Sequence, residues 1–372
     1  MPDTRPNGRF NERGLCLACD HSERSDRANY EQRLAELRAL IKQVLRGRNP
    51  VRWDCMVGVS GGKDSTRQAL WVREKLGMNP LLVCVTYPPR QVARRGVDNL
   101  SNLCRLGFDV MAVGPAPRLS RALVREAFLR FCNWLKATEM CLFAGVPRIA
   151  VEKKIPLIFW GENPALQVGD AGTLGASMWD GSNLVNSNTL AGGDLSWFRE
   201  VAGGEKYLQM YQYPSRAELK AAKVQTLFLG PAWSDWSNDV NSRFSLSYGF
   251  RQRGGDPHIS SDLSGCRMVD EDWIIVNFLL KYYKLGFSRA TEHANEMIRS
   301  GLMTRDEGIA LVEEYDEARC DELIHEFCRY IDISIDQFWA TARKFAHPTM
   351  FDVTKGQRPV KRFRVGYDDP SL

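Results

Sequence analysis

The sequence predicts an α/β protein: an open, mostly parallel sheet, preceded by a small N-terminal cysteine knuckle and followed by a helical C-terminal part. Three observations carry this. Short apolar runs alternate with amphipathic helical segments over about residues 48–230, the signature of βαβ units. A glycine-rich turn, Ser60-Gly-Gly-Lys-Asp-Ser65, stands between the first of those runs and the helical segment after it. Beyond residue 231 the apolar spacing is helical.

Composition sets the outer limits. At roughly 100–200 residues per domain, 372 residues predict two or three domains, and 44% apolar against 26% charged residues excludes disorder as the main state. A net charge of +5 suits a phosphorylated substrate and is too small for a DNA-binding surface. The longest apolar runs, Pro80–Val85 and Ile155–Trp160, fall short of the ~18 residues of a membrane span. Met1-Pro-Asp-Thr-Arg5 has no apolar stretch like that of a signal peptide. A cytoplasmic protein with no membrane partner is expected, its ten cysteines reduced, metal-bound or packed rather than disulfide-linked.

Residues 1–28 are polar and hold Cys16-Leu-Ala-Cys19, which predicts a small knuckle. In residues 29–47, Leu34, Leu37, Ile41 and Val44 recur at helical spacing between charged residues, an amphipathic linker helix. The α/β domain, 48–230, opens with Cys55–Val59 as a strand, Ser65–Leu76 as a helix and Leu81–Thr86 as a strand. Val110–Val113, a helical stretch Ser120–Lys136, Pro147–Lys153 and the strand-like Pro156–Trp160 continue the alternation. Ser215-Arg-Ala-Glu218 is a capping box before the strand-like Val224–Leu229. The intervening Gly161–Gly204 is rich in Gly, Asn and Ser, a loop long enough to suggest function. In the region 231–372, Asp270–Lys284 carries apolar residues at helical spacing, and Thr304-Arg-Asp-Glu307 and Ser334-Ile-Asp-Gln337 open two further helices. The basic last stretch, with Lys355, Arg358, Lys361, Arg362 and Arg364, is expected to be irregular.

The turn after the first strand has a chemistry of its own. Glycines bring successive backbone N–H groups and the following helix N-terminus onto an anion. Ser60, Gly61, Gly62 and Ser65 would cradle phosphate, Lys63 would neutralise it, and Asp64 would repel it unless a cation such as Mg²⁺ intervenes. A fixed string of this kind arises by chance in a chain of this length on the order of 10⁻⁵ to 10⁻⁴ of the time. A Walker A loop is excluded by Val57 and Asp64, which stand where Gly and Ser or Thr belong. Gly58-Val-Ser60-Gly-Gly62 also fits a nucleophile elbow, with His258, His293, His325 or His347 as base, but that reading gives Lys63-Asp64-Ser65 no task. Gly161-Glu162-Asn163 follows a strand directly, where open α/β sheets bind ligands: Glu162 would bind Mg²⁺ or steer ammonia and Asn163 would contact the nucleotide, the alternative being a polar strand end.

The SGGKDS loop resembles the PP-loop of the ATP pyrophosphatases (the adenine nucleotide alpha hydrolase-like fold), which cleave ATP between the α and β phosphates and adenylate a substrate oxygen. Within that superfamily the chain resembles the N-acetyl sugar amidotransferases of lipopolysaccharide and O-antigen biosynthesis, the WbpG-like and pseudaminic-acid amidotransferase-like proteins. The matching segments are 1–6, 10–16, 54–65, 76–83, 155–163, 288–291, 298–301 and 304–307. The resemblance implies AMP-forming transfer of ammonia onto the acetamido carbon of a nucleotide-linked N-acetyl sugar, with Lys63, Asp64 and Glu162 catalytic. It implies ATP bound by Ser60, Gly61, Gly62, Lys63, Asp64, Ser65, Gly161 and Asn163, Mg²⁺ at Asp64, and substrate contacts from Arg289, Arg299 and Arg305. Solvated helix-surface positions are the alternative for those arginines.

Cys16 and Cys19 are half of a tetrahedral zinc site; relatives commonly carry a first C-x-x-C before the segment that begins here at Met1, so zinc and a zinc-free knuckle both stay open. No cysteine has the setting of a glutaminase nucleophile, and Ser264-Gly265-Cys266-Arg267 lacks the second glycine of an elbow. Ammonia is therefore expected from free ammonium or from a separate glutaminase subunit, which the resemblance pairs with a cyclase-like subunit. The competing reading is a tRNA-thiolating PP-loop enzyme, for which Cys132 and Cys141 would be the sulfur carriers; neither charge nor motif supplies a nucleic-acid-binding module.

Overall fold

The computed structural model describes residues 2–24, 29–47, 52–161, 164 and 169–366. Five strands form one parallel sheet in the order β3-β2-β1-β4-β5: β1 is Cys55–Gly58, β2 Pro80–Val85, β3 Asp109–Val113, β4 Leu157–Trp160 and β5 Gln225–Phe228. The chain runs outward from β1 to β3 and restarts at β4 on the other side, so the strand order reverses between β1 and β4. That reversal opens a crevice at the carboxyl ends of these two strands.

Alternating side chains clothe both faces, as the near-continuous apolar strands require. On one face Val57, Leu82 and Phe159 pack beneath α2 (Tyr30–Leu45) and α3 (Lys63–Leu76). On the other, Met56, Val83 and Ile158 meet Val146 and Ile149. A third and larger core joins α5 (Pro117–Phe131) and α6 (Leu135–Lys153) to the helices of the C-terminal part, with Phe128, Trp134, Phe327 and Phe338 at its centre.

The remaining helices are α1 (Leu17–Arg24), α4 (Arg94–Arg105), α7 (Ser196–Ala202), α8 (Arg216–Ala222), α9 (Asn238–Ser247), α10 (Pro257–Ser260), α11 (Ile274–Leu285), α12 (Arg289–Arg299), α13 (Arg305–Tyr315), α14 (Asp321–Ile331) and α15 (Ile335–Phe345). Both expected capping boxes are formed, Ser215 with Glu218 and Thr304 with Glu307.

Several elements depart from the sequence reading. The stretch 120–136 is two helices, parted at Cys132, whose φ of +47° ends α5. Pro147 lies inside α6 rather than opening a helix. The helix expected from Asp270 begins at Ile274, because Glu271 bridges to Val92 in extended form. The basic tail folds into a two-residue antiparallel pair, β6 (Phe351–Asp352) with β7 (Val360–Lys361). Helix α4 had no counterpart in the sequence reading, although Leu100 and Leu103 stand at helical spacing and pack into the core. Its buried face includes Asn99 and Asn102, whose side chains donate to the carbonyls of Arg251 and Tyr248 at 2.9 and 2.7 Å. Among the described residues no helix is long and apolar enough to cross a membrane.

Candidate active site

β1 ends at Gly58, the Val59 N–H still bonds to the Val83 carbonyl, and the chain then turns into α3 through Ser60, Gly61 and Gly62. Gly61 has φ +77°, and a Cβ there would stand 2.9 Å from the Leu100 nitrogen and 3.0 Å from the Asn99 side chain of α4. Only glycine fits this corner. Gly62 caps α3 with no side-chain cap bond, so the helix opens with its first N–H groups at the loop.

The two charged residues of the loop are tied to each other and to the far end of the chain. Lys63 is 3% exposed, and its Nζ lies 2.5 Å from Oδ2 of Asp64. The other Asp64 oxygen accepts from Asn241 Nδ2 of α9 at 2.7 Å, and Ser245 Oγ donates to the Lys63 carbonyl at 2.7 Å. Asn241 itself accepts from Arg67 at 2.6 Å; the Arg67 guanidinium lies between the rings of Trp233 and Phe244 and pairs with Asp235. Ser60 and Ser65 are turned toward their own loop: Ser60 Oγ accepts from the Gly62 N–H and Ser65 Oγ donates to the Gly62 carbonyl.

Above the loop lies a cleft of about 350 Å³. One end is the loop itself, with Gly161 at the end of β4 and Trp236 beside it; a Cβ on Gly161 would come within 2.7 Å of the Trp236 ring. The middle is apolar, walled by Val83, Val85, Leu142, Phe143 and Val146. The lining also includes Tyr87, Glu139, Asp270, Met268 and Cys266, the last close enough to Lys63 and Asp64 to feel both charges. Burial pushes the Asp270 carboxyl up to about 6, against the pull of Arg253 and Arg95. Burial also raises Glu139, opposed by a hydrogen bond to Thr189 and by the charges of Arg289 and Lys136. Behind them Glu271 is fully buried, and neither of its carboxylate oxygens has a partner. Burial and the neighbouring Asp270 push it well above the usual carboxylate range. The cleft thus joins the backbone amides and the Lys63–Asp64 pair of the loop to an apolar wall and to the buried carboxyls of Glu139 and Asp270.

The sequence-predicted residues fall into separate groups. Ser60, Gly62, Lys63, Asp64, Ser65 and Gly161 all line the cleft, and Gly61 shapes its loop. Glu162 and Asn163 lie outside the described residues. The three arginines have three different surroundings. Arg289 packs over Phe278 and reaches Met268 Sδ at the cleft edge while pairing with Glu292. Arg299 is close enough to Cys19 to favour its thiolate, and Arg305 is exposed at the start of α13. Asn241, Arg67, Glu139 and Asp270 had no motif or spacing to mark them; only the fold brings them to the loop or the cleft.

Cys16 and Cys19 lie at the start of α1, in a segment anchored by Thr4 on the Leu285 carbonyl and Arg5 on Glu292. Burial opposes ionisation of Cys16, hydrogen bonds from the Cys19 backbone and thiol favour it, and its pKa is lowered; that of Cys19 is raised by burial and by Cys16. Among the described residues no group of three or more His, Cys, Asp or Glu side chains converges on a metal position. Two thiols are half of a tetrahedral zinc set. The loop suits Mg²⁺ better, since that ion is usually held by one or two carboxylates together with substrate phosphates, and Asp64, about a third exposed, faces the cleft.

An open parallel α/β protein is the class these features define: a five-strand sheet, a glycine-rich loop at the reversal of strand order, and a cleft at the strands' carboxyl ends. Residues 266–364 match the family described as "LPS biosynthesis protein WbpG-like, C-terminal domain". This part of the chain is similar to the C-terminal domain of WbpG-like proteins of lipopolysaccharide biosynthesis, and the five-strand sheet before it is consistent with a PP-loop-type N-terminal part. No curated protein matches the chain.

Proposed function

We propose that the protein is an ATP-dependent, AMP-forming amidotransferase acting on the acetamido group of a nucleotide-linked N-acetyl sugar. The observation that carries this reading is a single cleft lined both by the Ser60–Ser65 loop and by Cys266, Met268 and Asp270 of the region leading into and opening the WbpG-like domain. The acetamido oxygen attacks the α-phosphorus of ATP and pyrophosphate leaves; ammonia then attacks the activated carbon, AMP departs with the former carbonyl oxygen, and an amidinium remains. The loop N–H groups and Lys63 neutralise the departing pyrophosphate. Asp64 would hold Mg²⁺, which neutralises phosphate charge when bound. The apolar wall of the cleft keeps water from the adenylate, and the carboxyls of Glu139 and Asp270 attract ammonium, or hold ammonia delivered by a partner glutaminase.

Sulfur transfer to tRNA is the second reading, and the observation favouring it is Cys266, which lines the cleft. Burial raises its thiol, against the help of Ser242 and Lys63, and so works against a persulfide-carrying thiolate. Cys132 and Cys141, the carriers the sequence suggested, are buried in the core between α5, α6 and the C-terminal helices, and burial pushes both thiols up to about 12.

The test is turnover with Mg-ATP, ammonium and a panel of UDP- and CMP-linked acetamido sugars, read by nucleotide product and sugar mass. AMP, pyrophosphate and a sugar lighter by about one mass unit, the change from oxygen to NH, are expected. ADP as product, or no sugar product across the panel, overturns the proposal.

A further inference from the structure

We propose that the Lys63–Asp64 ion pair is a selectivity latch: it holds the loop against a bare polyphosphate or a bare divalent cation and opens for the two together. The latch rests on the reading of Ser60–Ser65 as a polyphosphate site, and not on the identity of the acceptor.

The side chains that would meet a phosphate are each engaged within the loop. Lys63 is 3% exposed, and its Nζ lies 2.5 Å from Oδ2 of Asp64. Among the described residues Asp64 is its only acidic partner. The Gly62 N–H donates to Ser60 Oγ at 3.3 Å, and Ser65 Oγ donates to the Gly62 carbonyl at 3.2 Å. The pair is also braced from outside the loop. Ser245 Oγ of α9 donates to the Lys63 carbonyl at 2.7 Å, and Asn241 Nδ2, itself bonded to Arg67, donates to Asp64 Oδ1 at 2.7 Å. Lys63 and Asp64 nevertheless both line the cleft, and Asp64, about a third exposed, is the more open half of the pair.

Electrostatics then decides which ligand enters. A polyphosphate that draws Lys63 away leaves the Asp64 carboxylate facing a second anion, and like charges in contact repel. A divalent cation that draws Asp64 away leaves the Lys63 ammonium buried beside a dication, and a buried charge stripped of its partner is strongly unfavourable. A metal–polyphosphate complex meets neither penalty. The carboxylate takes the metal as the ammonium takes a phosphate oxygen, so one buried pair is exchanged for two contacts of opposite charge. Mg²⁺ suits this exchange because it is usually held by one or two carboxylates together with substrate phosphates. The ligand class the latch admits is therefore the divalent-metal complex of a nucleotide, and the class it rejects is the uncomplexed anion.

The test is a double-mutant cycle read by calorimetric binding of pyrophosphate in the presence of EDTA. D64N frees Lys63 and should bind metal-free pyrophosphate at least tenfold more tightly than the native protein. In a K63M background the same substitution has no ammonium to free, so K63M/D64N should stay within threefold of K63M. In the converse arm K63M frees Asp64 and should bind Mn²⁺ alone at least tenfold more tightly than the native protein, by the paramagnetic resonance signal of free Mn²⁺. Circular dichroism should be unchanged throughout, and K63Q takes the place of K63M if the latter does not fold. A D64N gain of equal size in both backgrounds means that Asp64 acts by plain charge repulsion and overturns the latch, as does the lack of a gain in either arm. No pyrophosphate binding to any of the four proteins, with or without Mn²⁺, overturns the phosphate site and the latch with it. None of these readouts needs turnover, so a failed latch, a failed phosphate site and a failed amidotransferase reading are told apart.

Discussion

Asn241 Nδ2 donates to Asp64 Oδ1 at 2.7 Å, joining α9 to a loop that precedes it by 177 residues. Asn241 is fully buried, and its amide oxygen accepts from Arg67. This side chain therefore fixes Asp64 from one side while Lys63 fixes it from the other. Asn241→Ala leaves both partners short of a bond and should cost about 1–3 kcal/mol of stability. It should lower kcat roughly ten- to a hundredfold by loosening Asp64. Thermal melting and steady-state kinetics check both. Lys63→Ala should lose about 10²–10³ in kcat with the fold intact by circular dichroism; full activity in that variant would remove Lys63 from the chemistry.

Two adjacent glycines should behave differently. Gly61→Ala requires φ +77° and meets backbone at 2.9 Å; nucleotide binding should disappear and stability fall by about 1–3 kcal/mol. Gly62 has φ −70°, and its Cβ would meet only the Ser60 hydroxyl oxygen at 3.1 Å. Gly62→Ala should melt close to the native temperature. Equal damage from the two substitutions, by calorimetry with and without ATP, would show that the loop corner is not the constraint.

Asp270 makes stability depend on pH. Its folded-state pKa, about 6, stands above the ordinary 3.8, so the folded protein holds the proton more tightly than the unfolded chain. Stability contributed by the neutral form is present below about pH 4 and is lost as pH rises to about 6. Asp270→Asn keeps that contribution at all pH values, worth at most about 3 kcal/mol. Melts at pH 8 should show the variant more stable than the native protein, and melts near pH 4 should show no gain. Equal differences at the two pH values would contradict the buried-carboxylate assignment.

Cys266→Ser tests the sulfur-transfer alternative directly. The thiol contacts Gln252 at 3.5 Å and sits among groups that a hydroxyl can also satisfy. Amidine formation should persist within a few-fold of native, by product mass. Loss of turnover in this variant while its melting temperature holds would favour a sulfur carrier at this position.

Much of the fold was legible because it rests on local signals. The strand, turn and helix around Ser60–Ser65, the strands near 110, 157 and 225 and both capping boxes are set by residues within a few positions of each other. Helix α4 is harder to read because Asn99 and Asn102 share its buried face with Leu103, which mixes polar residues into the apolar spacing. Helix α12 was hidden for a related reason: its buried face is only Ala290 and Ala294.

The sequence by itself determined the make-up of the glycine-rich loop, since its turn residues, backbone amides and the charges of Lys63 and Asp64 are properties of one short segment. Tertiary structure alone decided what surrounds that segment. Asn241 holds Asp64 from 177 residues away, and Glu139 and Asp270 line the same cleft as the loop. Periodicity reports which face of an element is buried; it carries no information on which distant polar side chains the packing will bring together.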